Sequence, residues 1–239
     1  MSAARDVVIL CGGRGTRLVE HTREIPKPLV EIGGRPILWH VIQIYAAQGF
    51  RSFVLCTGYR GEMIERFVES EPWPEGTRVS CFDTGLDTPT GGRIHLVKDT
   101  VGERPFCATY SDGVADIDLA ALVRDHERSG RTATMTVVQP ELQFGVTELG
   151  ENGDVRGFKE KPKSEHWING GFFCFEPEVF EYLDERSVLE RDPLERLAAD
   201  GRLHGYRHTG FWECMDTYKD SVQLNDLWRK DHPPWKVWS

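Results

Sequence analysis

Residues 7–18 read VVILCGGRGTRL, an apolar stretch followed by a loop with three glycines and two arginines. The apolar stretch predicts a strand, and glycines directly after a strand let the backbone approach a ligand closely. Backbone N–H groups at the start of a following helix favour an anion. The loop therefore predicts a phosphate site that carries its own guanidinium groups. The alternative is an ordinary strand-to-helix turn.

Two common phosphate-binding loops do not fit these residues. A Walker loop ends in Gly-Lys-Ser/Thr, whereas this loop ends in Gly15, Thr16 and Arg17. A dinucleotide fingerprint needs a third glycine three positions after Gly15, where Leu18 stands. The loop is therefore of a different kind.

A lysine between two prolines follows the loop. In residues 23–38, REIPKPLVEIGGRPIL, the prolines restrict the backbone on both sides of Lys27 and aim its ammonium group in a defined direction. Lysines between prolines are also common in surface loops. Lys27 becomes a candidate for chemistry because the glycine loop and Arg17 lie close to it in the sequence.

Two aspartates follow apolar runs that have the character of strands. Asp112 ends such a run within residues 107–118, CATYSDGVADID, and Asp216 follows an aromatic run within residues 211–220, FWECMDTYKD. Mg²⁺ in proteins takes one or two carboxylates together with substrate phosphates, so the two aspartates could form a Mg²⁺ site. Taken singly, Asp112 could be a turn residue and Asp216 a helix N-cap.

A third polar region lies in residues 158–163, FKEKPK, and in the following WINGGFFCF. Lys161 precedes a proline, and Asn169 with two glycines opens an apolar run. An asparagine beside closely approaching backbone is a common way to hydrogen-bond sugar hydroxyls. A β-turn followed by a hairpin is the alternative.

The composition excludes several classes of protein. The chain has 239 residues, with 38 acidic and 29 basic residues and a net charge of −9, so a nucleic-acid groove with a basic face is not expected. No apolar run approaches the roughly 20 residues of a membrane helix, and residues 1–6 leave no room for a signal peptide. Six cysteines without a Cys-x-x-Cys pair indicate reduced thiols and a cytoplasmic location.

The order of elements predicts the fold. Apolar runs alternate with helical patterns through the first half of the chain, and helices are expected at residues 178–183 and 193–201 in the second half. This alternation predicts an α/β fold with a doubly wound, mostly parallel sheet and helices on both faces. Such sheets bind ligands at the carboxyl ends of their strands. We expect a single domain, residues 1–239, with residues 226–239 as a C-terminal arm.

The ordered motifs resemble those of the sugar-1-phosphate nucleotidyltransferases over nearly the whole chain. The motifs are Gly-x-Gly-Thr-Arg, Lys-Pro, Asp-Gly, Phe-Gly-Val, Glu-Lys-Pro, Asn-Gly-Gly and Met-Asp-Thr, in that order. The segments KPLVEIGGRPILWHVI, DTGLDTPTGGRI and YSDGVADID further resemble the branch that uses CTP and glucose 1-phosphate. Glycosyltransferases share this fold and use an Asp-x-Asp metal site, a spacing also present at residues 116–118, but they lack the glycine loop.

The resemblance implies a Rossmann-like nucleotidyltransferase fold, Mg²⁺ as cofactor and a homo-oligomer. The sugar 1-phosphate would attack the α-phosphorus of CTP in line and expel pyrophosphate. UTP, dTTP or another sugar 1-phosphate remain open alternatives. A non-catalytic regulator that binds a sugar nucleotide also remains open, although it would not need two cations and two carboxylates.

The resemblance also implies a role for each motif residue. Arg17 and Lys27 would be catalytic and neutralise phosphate charge, and Asp112 and Asp216 would hold Mg²⁺. The residues expected to bind the nucleotide are Gly12, Gly13, Arg14, Gly15, Thr16, Thr88, Gly91, Gly92 and Arg93. The residues expected to bind the sugar phosphate are Gly145, Glu160, Lys161 and Asn169.

The C-terminal residues 225–239, NDLWRKDHPPWKVWS, contain three tryptophans. The prolines at 233 and 234 forbid a continuing helix and favour an extended arm. Exposed tryptophans would reduce solubility, and tryptophan is enriched at interface anchor points. We therefore expect this arm to pack on a neighbouring subunit. The alternative is that it folds back on its own chain.

Overall fold

The structure, a computed structural model, describes residues 5–16, 24–230 and 232–238. Its centre is a seven-stranded sheet in the order β12-β8-β11-β6-β1-β4-β5. These strands are β1 (Asp6–Leu10), β4 (Ser52–Thr57), β5 (Arg78–Asp83), β6 (Phe106–Tyr110), β8 (Ala133–Val138), β11 (Ile168–Phe175) and β12 (Leu203–Arg207). Every pair is parallel except the two made by β11, which runs antiparallel to β6 and β8. The prediction of a mostly parallel α/β sheet is confirmed.

Three small ribbons accompany the sheet. They pair β2 (Glu31–Ile32) with β3 (Arg35–Pro36), β7 (Gly113–Ala115) with β13 (Trp212–Cys214), and β9 (Val146–Leu149) with β10 (Val155–Lys159). The second ribbon lies beside the end of β6, and the third forms an exposed hairpin in the second half of the chain.

Helices cover both faces of the sheet. They are α1 (Ile37–Ala46), α2 (Gly61–Ser70), α3 (Thr90–Leu96), α4 (Lys98–Val101), α5 (Leu119–Ser129), α6 (Asp192–Ala199) and α7 (Tyr218–Trp228). On β1, Val7 and Ile9 belong to the same buried cluster as α1, while Val8 and Leu10 belong to the cluster of α3 and α6. A parallel sheet buried on both faces requires such continuously apolar strands.

The segment after β11 departs from the predicted helix over residues 178–183. It forms a 3-10 helix, Pro177–Tyr182, whose buried side chains Val179 and Phe180 are adjacent in sequence. An α-helical stripe would space its buried residues three or four apart, so a short, tight turn suits this pattern better. The helix expected at residues 193–201 is present as α6.

The C-terminal segment folds back on its own chain, so the expectation that it packs on a neighbouring subunit is wrong for Trp235. That side chain is fully buried, stacks on Phe211 and donates its indole N–H to His40 at 3.3 Å. Residues 226–228 belong to α7, which ends at Trp228, and its ring contacts both His40 and Trp235. Trp235 is thus covered by residues of its own chain, among them His40 of α1 and Phe211.

Within the described ranges, none of the helices combines the length and the apolar composition that crossing a membrane requires. All six cysteines lie in described residues and are unpaired.

Candidate active site

A cavity of about 810 Å³ opens at the carboxyl ends of β1 and β6. Strand order reverses between these two strands, because the chain continues from β1 to β4 on one side and returns to β6 on the other. Such a switch point is where open α/β sheets bind their ligands. Of the predicted residues, those that line this cavity are Gly12, Gly13, Arg14, Gly15, Thr16, Lys27, Thr88, Arg93, Asp112, Asn169 and Asp216.

Lys27 and the two predicted metal ligands form one cluster. The ammonium Nζ of Lys27 lies 2.5 Å from Asp112 Oδ2 and 2.7 Å from Asp216 Oδ1. The Lys27 side chain is only 12% exposed, so water screens these ion pairs less than it screens a surface pair. Residues far apart in the sequence therefore share one charged centre.

The ribbon of β7 and β13 explains how the two aspartates meet. Asp112 directly precedes β7, Asp216 follows β13, and the antiparallel register pairs Cys214 with Gly113. The backbone N–H of Met215 donates to the carbonyl of Asp112 at 2.9 Å, which continues the pairing beyond the ribbon. The sequence placed each aspartate at the end of a run, but it did not predict that the two runs pair.

Asp220 fixes the backbone at Asp216 and was not predicted. Its carboxylate accepts the N–H groups of Asp216 at 3.0 Å and Thr217 at 2.7 Å. Thr217 caps α7 in return by accepting the N–H of Asp220, which gives a capping box. Thr217 is the N-cap, and Asp216 lines the cavity. The Thr-x-x-Asp spacing after Asp216 was the signal that could have predicted this arrangement.

The cluster has the donor set of a cation site. One ligand atom each from Asp112, Cys214 and Asp216 lie within 4.8 Å of one another. Two carboxylates suit a hard divalent cation, and the ammonium of Lys27 already lies between them. The residues therefore fit the predicted Mg²⁺.

Electrostatics at the cluster keep Lys27 charged and Cys214 neutral. Burial alone would lower the pKa of Lys27, but the adjacent Asp112 and Asp216 outweigh it, and the pKa is raised. Burial, reinforced by the same two carboxylates, raises the pKa of Cys214 well above its ordinary value. Lys27 thus remains an ammonium at neutral pH, while Cys214 remains a thiol.

Arg93, which is expected to bind the nucleotide, donates a hydrogen bond to the backbone of the glycine loop. Its buried guanidinium donates to the carbonyls of Gly12 at 3.1 Å, Thr57 at 2.8 Å and Gly85 at 2.9 Å. A Cβ at residue 12 would overlap this guanidinium, so the approach requires glycine. Although Arg93 lines the cavity, its donors are used to join the glycine loop to residues 84–86.

Gly91 and Gly92 lie in α3 instead of on a nucleotide loop and are not among the residues that line the cavity. A Cβ at either position would collide with backbone oxygens of Glu185 or Ser187. These glycines therefore let α3 pack closely against residues 185–187. The contact that requires glycine at these two positions is long-range, so the local sequence Thr-Gly-Gly-Arg does not show it.

The predicted sugar residues divide into two places. Asn169 lines the cavity and donates to the Tyr110 hydroxyl at 3.0 Å. Gly145 and Glu160 lie near each other at the base of the β9–β10 hairpin, outside the cavity lining, and Glu160 and Lys161 are exposed. Lys161 has φ of 44°, an unusual backbone conformation for a residue before proline.

Glu190 is a cavity residue that the sequence analysis missed. Its carboxylate accepts from the Tyr110 hydroxyl and from the Thr90 hydroxyl, each at 2.6 Å. The network continues from Tyr110 to Asn169. Glu190 stands in no recognisable motif, and no local pattern predicts its place in the cavity.

The glycine loop contains two arginines, Arg14 and Arg17. Arg14 pairs with Asp87 at 3.1 Å, which links the loop to residues 84–88 across the cavity. Arg17, predicted to be catalytic, lies outside the described residues.

Comparison with known proteins identifies relatives of this chain. The chain is 42% identical to the "Probable glucose-1-phosphate cytidylyltransferase" of Bacillus subtilis, covering 97% of this chain and 99% of that protein. It is 40% identical to the glucose-1-phosphate cytidylyltransferase of Salmonella typhi, covering 97% and 98%. The crystal structure of HddC from Yersinia pseudotuberculosis aligns with a TM-score of 0.74 at 21% identity, over 94% of this chain and 100% of that one, and so shows the fold. Residues 6–228 match the Nucleotidyl transferase family. The chain therefore belongs to the nucleotidyl transferase family.

Proposed function

We propose that this protein transfers a cytidylyl group from CTP to α-D-glucose 1-phosphate, giving CDP-glucose and pyrophosphate. The observation that carries the proposal is the cluster of Lys27, Asp112 and Asp216 beside the glycine loop. The choice of CTP and glucose 1-phosphate is supported by the two relatives at 40% and 42% identity, which span nearly the whole chain.

The reaction joins two anions, and the residues of the cavity supply what that requires. In-line phosphoryl transfer depends mainly on positioning and on neutralising charge that spreads over the phosphoryl oxygens. Residues Gly12 to Gly15, with Thr16, would bind the triphosphate through backbone N–H groups. Lys27 and Arg17 would neutralise the α-phosphate and the departing pyrophosphate.

Nucleotidyltransferases generally use a divalent metal. We propose Mg²⁺, with Asp112 and Asp216 as its protein ligands. When bound, it would screen the repulsion between the phosphates. Asp220 would keep Asp216 in place for this role by holding its backbone N–H.

The sugar side would use residues from two parts of the chain. Asn169, which already lies in the cavity, would hydrogen-bond a sugar hydroxyl. Glu160 would bind a second hydroxyl, Lys161 the sugar phosphate, and Gly145 would offer a backbone contact. Because Glu160 and Lys161 are exposed and lie outside the cavity lining, this role requires the hairpin to approach the cavity.

Pyrophosphate release tests the proposal directly. The protein would be incubated with CTP, UTP, dTTP or GTP, each paired with a panel of hexose 1-phosphates, in Mg²⁺ and in EDTA. We expect release with CTP and glucose 1-phosphate and its loss in EDTA. Faster release with another pair would reassign the substrates. Binding without release would indicate a non-catalytic regulator instead.

We also propose a homo-oligomer in the cytoplasm. Unpaired cysteines support a reducing compartment, and exposed apolar side chains on and beside the hairpin, such as Phe144 and Leu149, support a protein partner. Light scattering would measure the mass in solution, and a monomer at micromolar concentration would contradict the oligomer.

A further inference from the structure

The ammonium group of Lys27 lies between the two carboxylates that are the proposed metal ligands. It is within hydrogen-bonding distance of one oxygen from each carboxylate, 2.5 Å from Asp112 and 2.7 Å from Asp216. Asp112 and Asp216, together with Cys214, each offer one ligand atom to a metal ion at this place. One position is therefore shared by two possible occupants.

The proposed function places demands on these residues that this arrangement cannot meet at once. Asp112 and Asp216 must turn their oxygens to a metal, while Lys27 must reach phosphate oxygens. A compact ammonium and a divalent ion repel each other, so they cannot both lie between the carboxylates. Lys27 must leave the carboxylates when the metal is bound.

We propose that Lys27 is an exchangeable occupant of the metal site, which holds Asp112 and Asp216 before nucleotide binds and releases both when a metal–triphosphate complex arrives. The triphosphate gives the ammonium a new anionic partner at the moment when the carboxylates gain the metal. This inference rests on the proposed function, because it assigns the phosphate as the second partner of Lys27.

The local structure allows this exchange without a change of fold. The backbone at Lys27 is fixed between two prolines in the 3-10 turn Lys27–Leu29, where the N–H of Val30 donates to the carbonyl of Lys27. The lysine side chain has a flexible four-carbon stem. Rotation of that stem is therefore sufficient to move the ammonium.

The exchange predicts that metal and nucleotide bind together. Metal ions alone would have to displace the ammonium from both carboxylates, and within the described ranges these are the acidic groups with which it pairs. A partly buried charge that loses its partners is unfavourable. We therefore expect weak metal binding without nucleotide. Replacing Lys27 with an uncharged side chain of similar length should open the site to the metal alone.

Mn²⁺ binding measures this without relying on activity. Mn²⁺ would be titrated into the wild-type protein, Lys27→Met and Lys219→Met, with and without CTP, and followed by electron paramagnetic resonance and water proton relaxation. Lys219 is the matched control, because it lies on α7 near the site but donates to Gln143 and not to the carboxylates. Lys27→Gln serves as a second variant if Lys27→Met does not fold.

We expect Lys27→Met to bind Mn²⁺ without CTP about tenfold or more tightly than the wild type, on the scale of removing a unit charge a few ångströms away. Lys219→Met should match the wild type, and adding Asp112→Asn to Lys27→Met should abolish the gain. Equal Mn²⁺ affinity of the wild type and both Lys27 variants would overturn the exchange. If the wild type does not hold Mn²⁺–CTP at all, the proposed function fails instead, which is a separate result.

Discussion

The carboxylate cluster and the β9–β10 hairpin carry the two halves of the proposed site, and they differ in how firmly they are held. Lys27, Asp112 and Asp216 are joined by direct ion pairs and are fixed by the β7–β13 ribbon. The hairpin carries Glu160 near its end, and its side chain Phe158 is 64% exposed. In one half the two carboxylates are held in place before any ligand binds, and only the Lys27 side chain is proposed to change its partner on binding. The other half is open to solvent.

This difference separates two parts of catalysis. Groups that stabilise developing charge act best when they are preorganised, since no reorganisation is then needed during the reaction. Groups that recognise a substrate can be brought in by binding. We therefore expect substitutions in the cluster to reduce kcat, and substitutions in the hairpin to raise KM for the sugar phosphate.

The largest effect is expected from Lys27→Ala. The variant should lose roughly 10²–10³-fold in kcat, on the scale of removing one preorganised electrostatic donor. Steady-state kinetics would measure this, with Lys219→Ala as a control expected to stay within about twofold, because Lys219 is exposed and donates to Gln143. A kcat for Lys27→Ala equal to that of the control would remove Lys27 from the catalytic centre.

A smaller effect is expected from Glu160→Gln in the hairpin. A hydrogen bond to a charged acceptor contributes about 1.5–3 kcal/mol, so KM for glucose 1-phosphate should rise about tenfold or more. The KM for CTP should stay nearly constant. If kcat falls instead, with KM unchanged, Glu160 acts in the chemical step and the hairpin does not serve substrate recognition alone.

A still smaller effect is expected from Asp220→Ala, which removes the capping box that holds Asp216. Thr217 remains as the N-cap, but its N–H and that of Asp216 lose a charged acceptor, so the free energy of unfolding should fall by about 1.5 kcal/mol. Looser positioning of Asp216 should also raise the Mg²⁺ concentration needed for half-maximal activity. The rise should be smaller than the roughly tenfold or more expected on losing a partner of the ligating carboxylate itself, because Asp220 holds the backbone N–H of Asp216. Urea unfolding and a Mg²⁺ titration measure the two parts. Lower stability with an unchanged Mg²⁺ requirement would show that Asp220 only caps the helix.

The smallest effect is expected at Cys214, where the prediction is an absence of reaction. Its raised pKa keeps the thiol protonated at pH 8, and the thiolate is the reactive form. Iodoacetamide at that pH should leave Cys214 unmodified in the folded protein and alkylate it in urea. Rapid labelling of the folded protein, read by mass spectrometry, would contradict the electrostatics described for the cluster.

Local sequence predicted the features that depend on local physics. Each of these features can be recognised within a few residues. They are the apolar run of β1 followed by glycines, the prolines around Lys27 and the aspartates at the ends of apolar runs. The rule that ligands bind at the carboxyl ends of parallel strands then placed them together. The cavity lining, which includes Gly13, Lys27, Asp112 and Asp216, agrees with that placement.

The features that the sequence did not predict depend on partners far along the chain. The donors of Arg93 are used by carbonyls from residues 12, 57 and 85. Trp235 is covered by His40, almost 200 residues earlier. Glu190 acquires its place in the cavity through Tyr110 and Thr90. A local sequence pattern does not predict which distant residues a side chain will contact.

The central claim is that Asp112 and Asp216 act as one unit around a single cation position, and a double-mutant cycle tests it most directly. Pyrophosphate release from CTP and glucose 1-phosphate would be measured for Asp112→Asn, Asp216→Asn and the double variant at saturating substrates. Groups that act as a unit have strongly non-additive effects. We predict that the double variant is about as slow as the slower single variant. Losses that multiply, with each carboxylate contributing independently, would contradict the account.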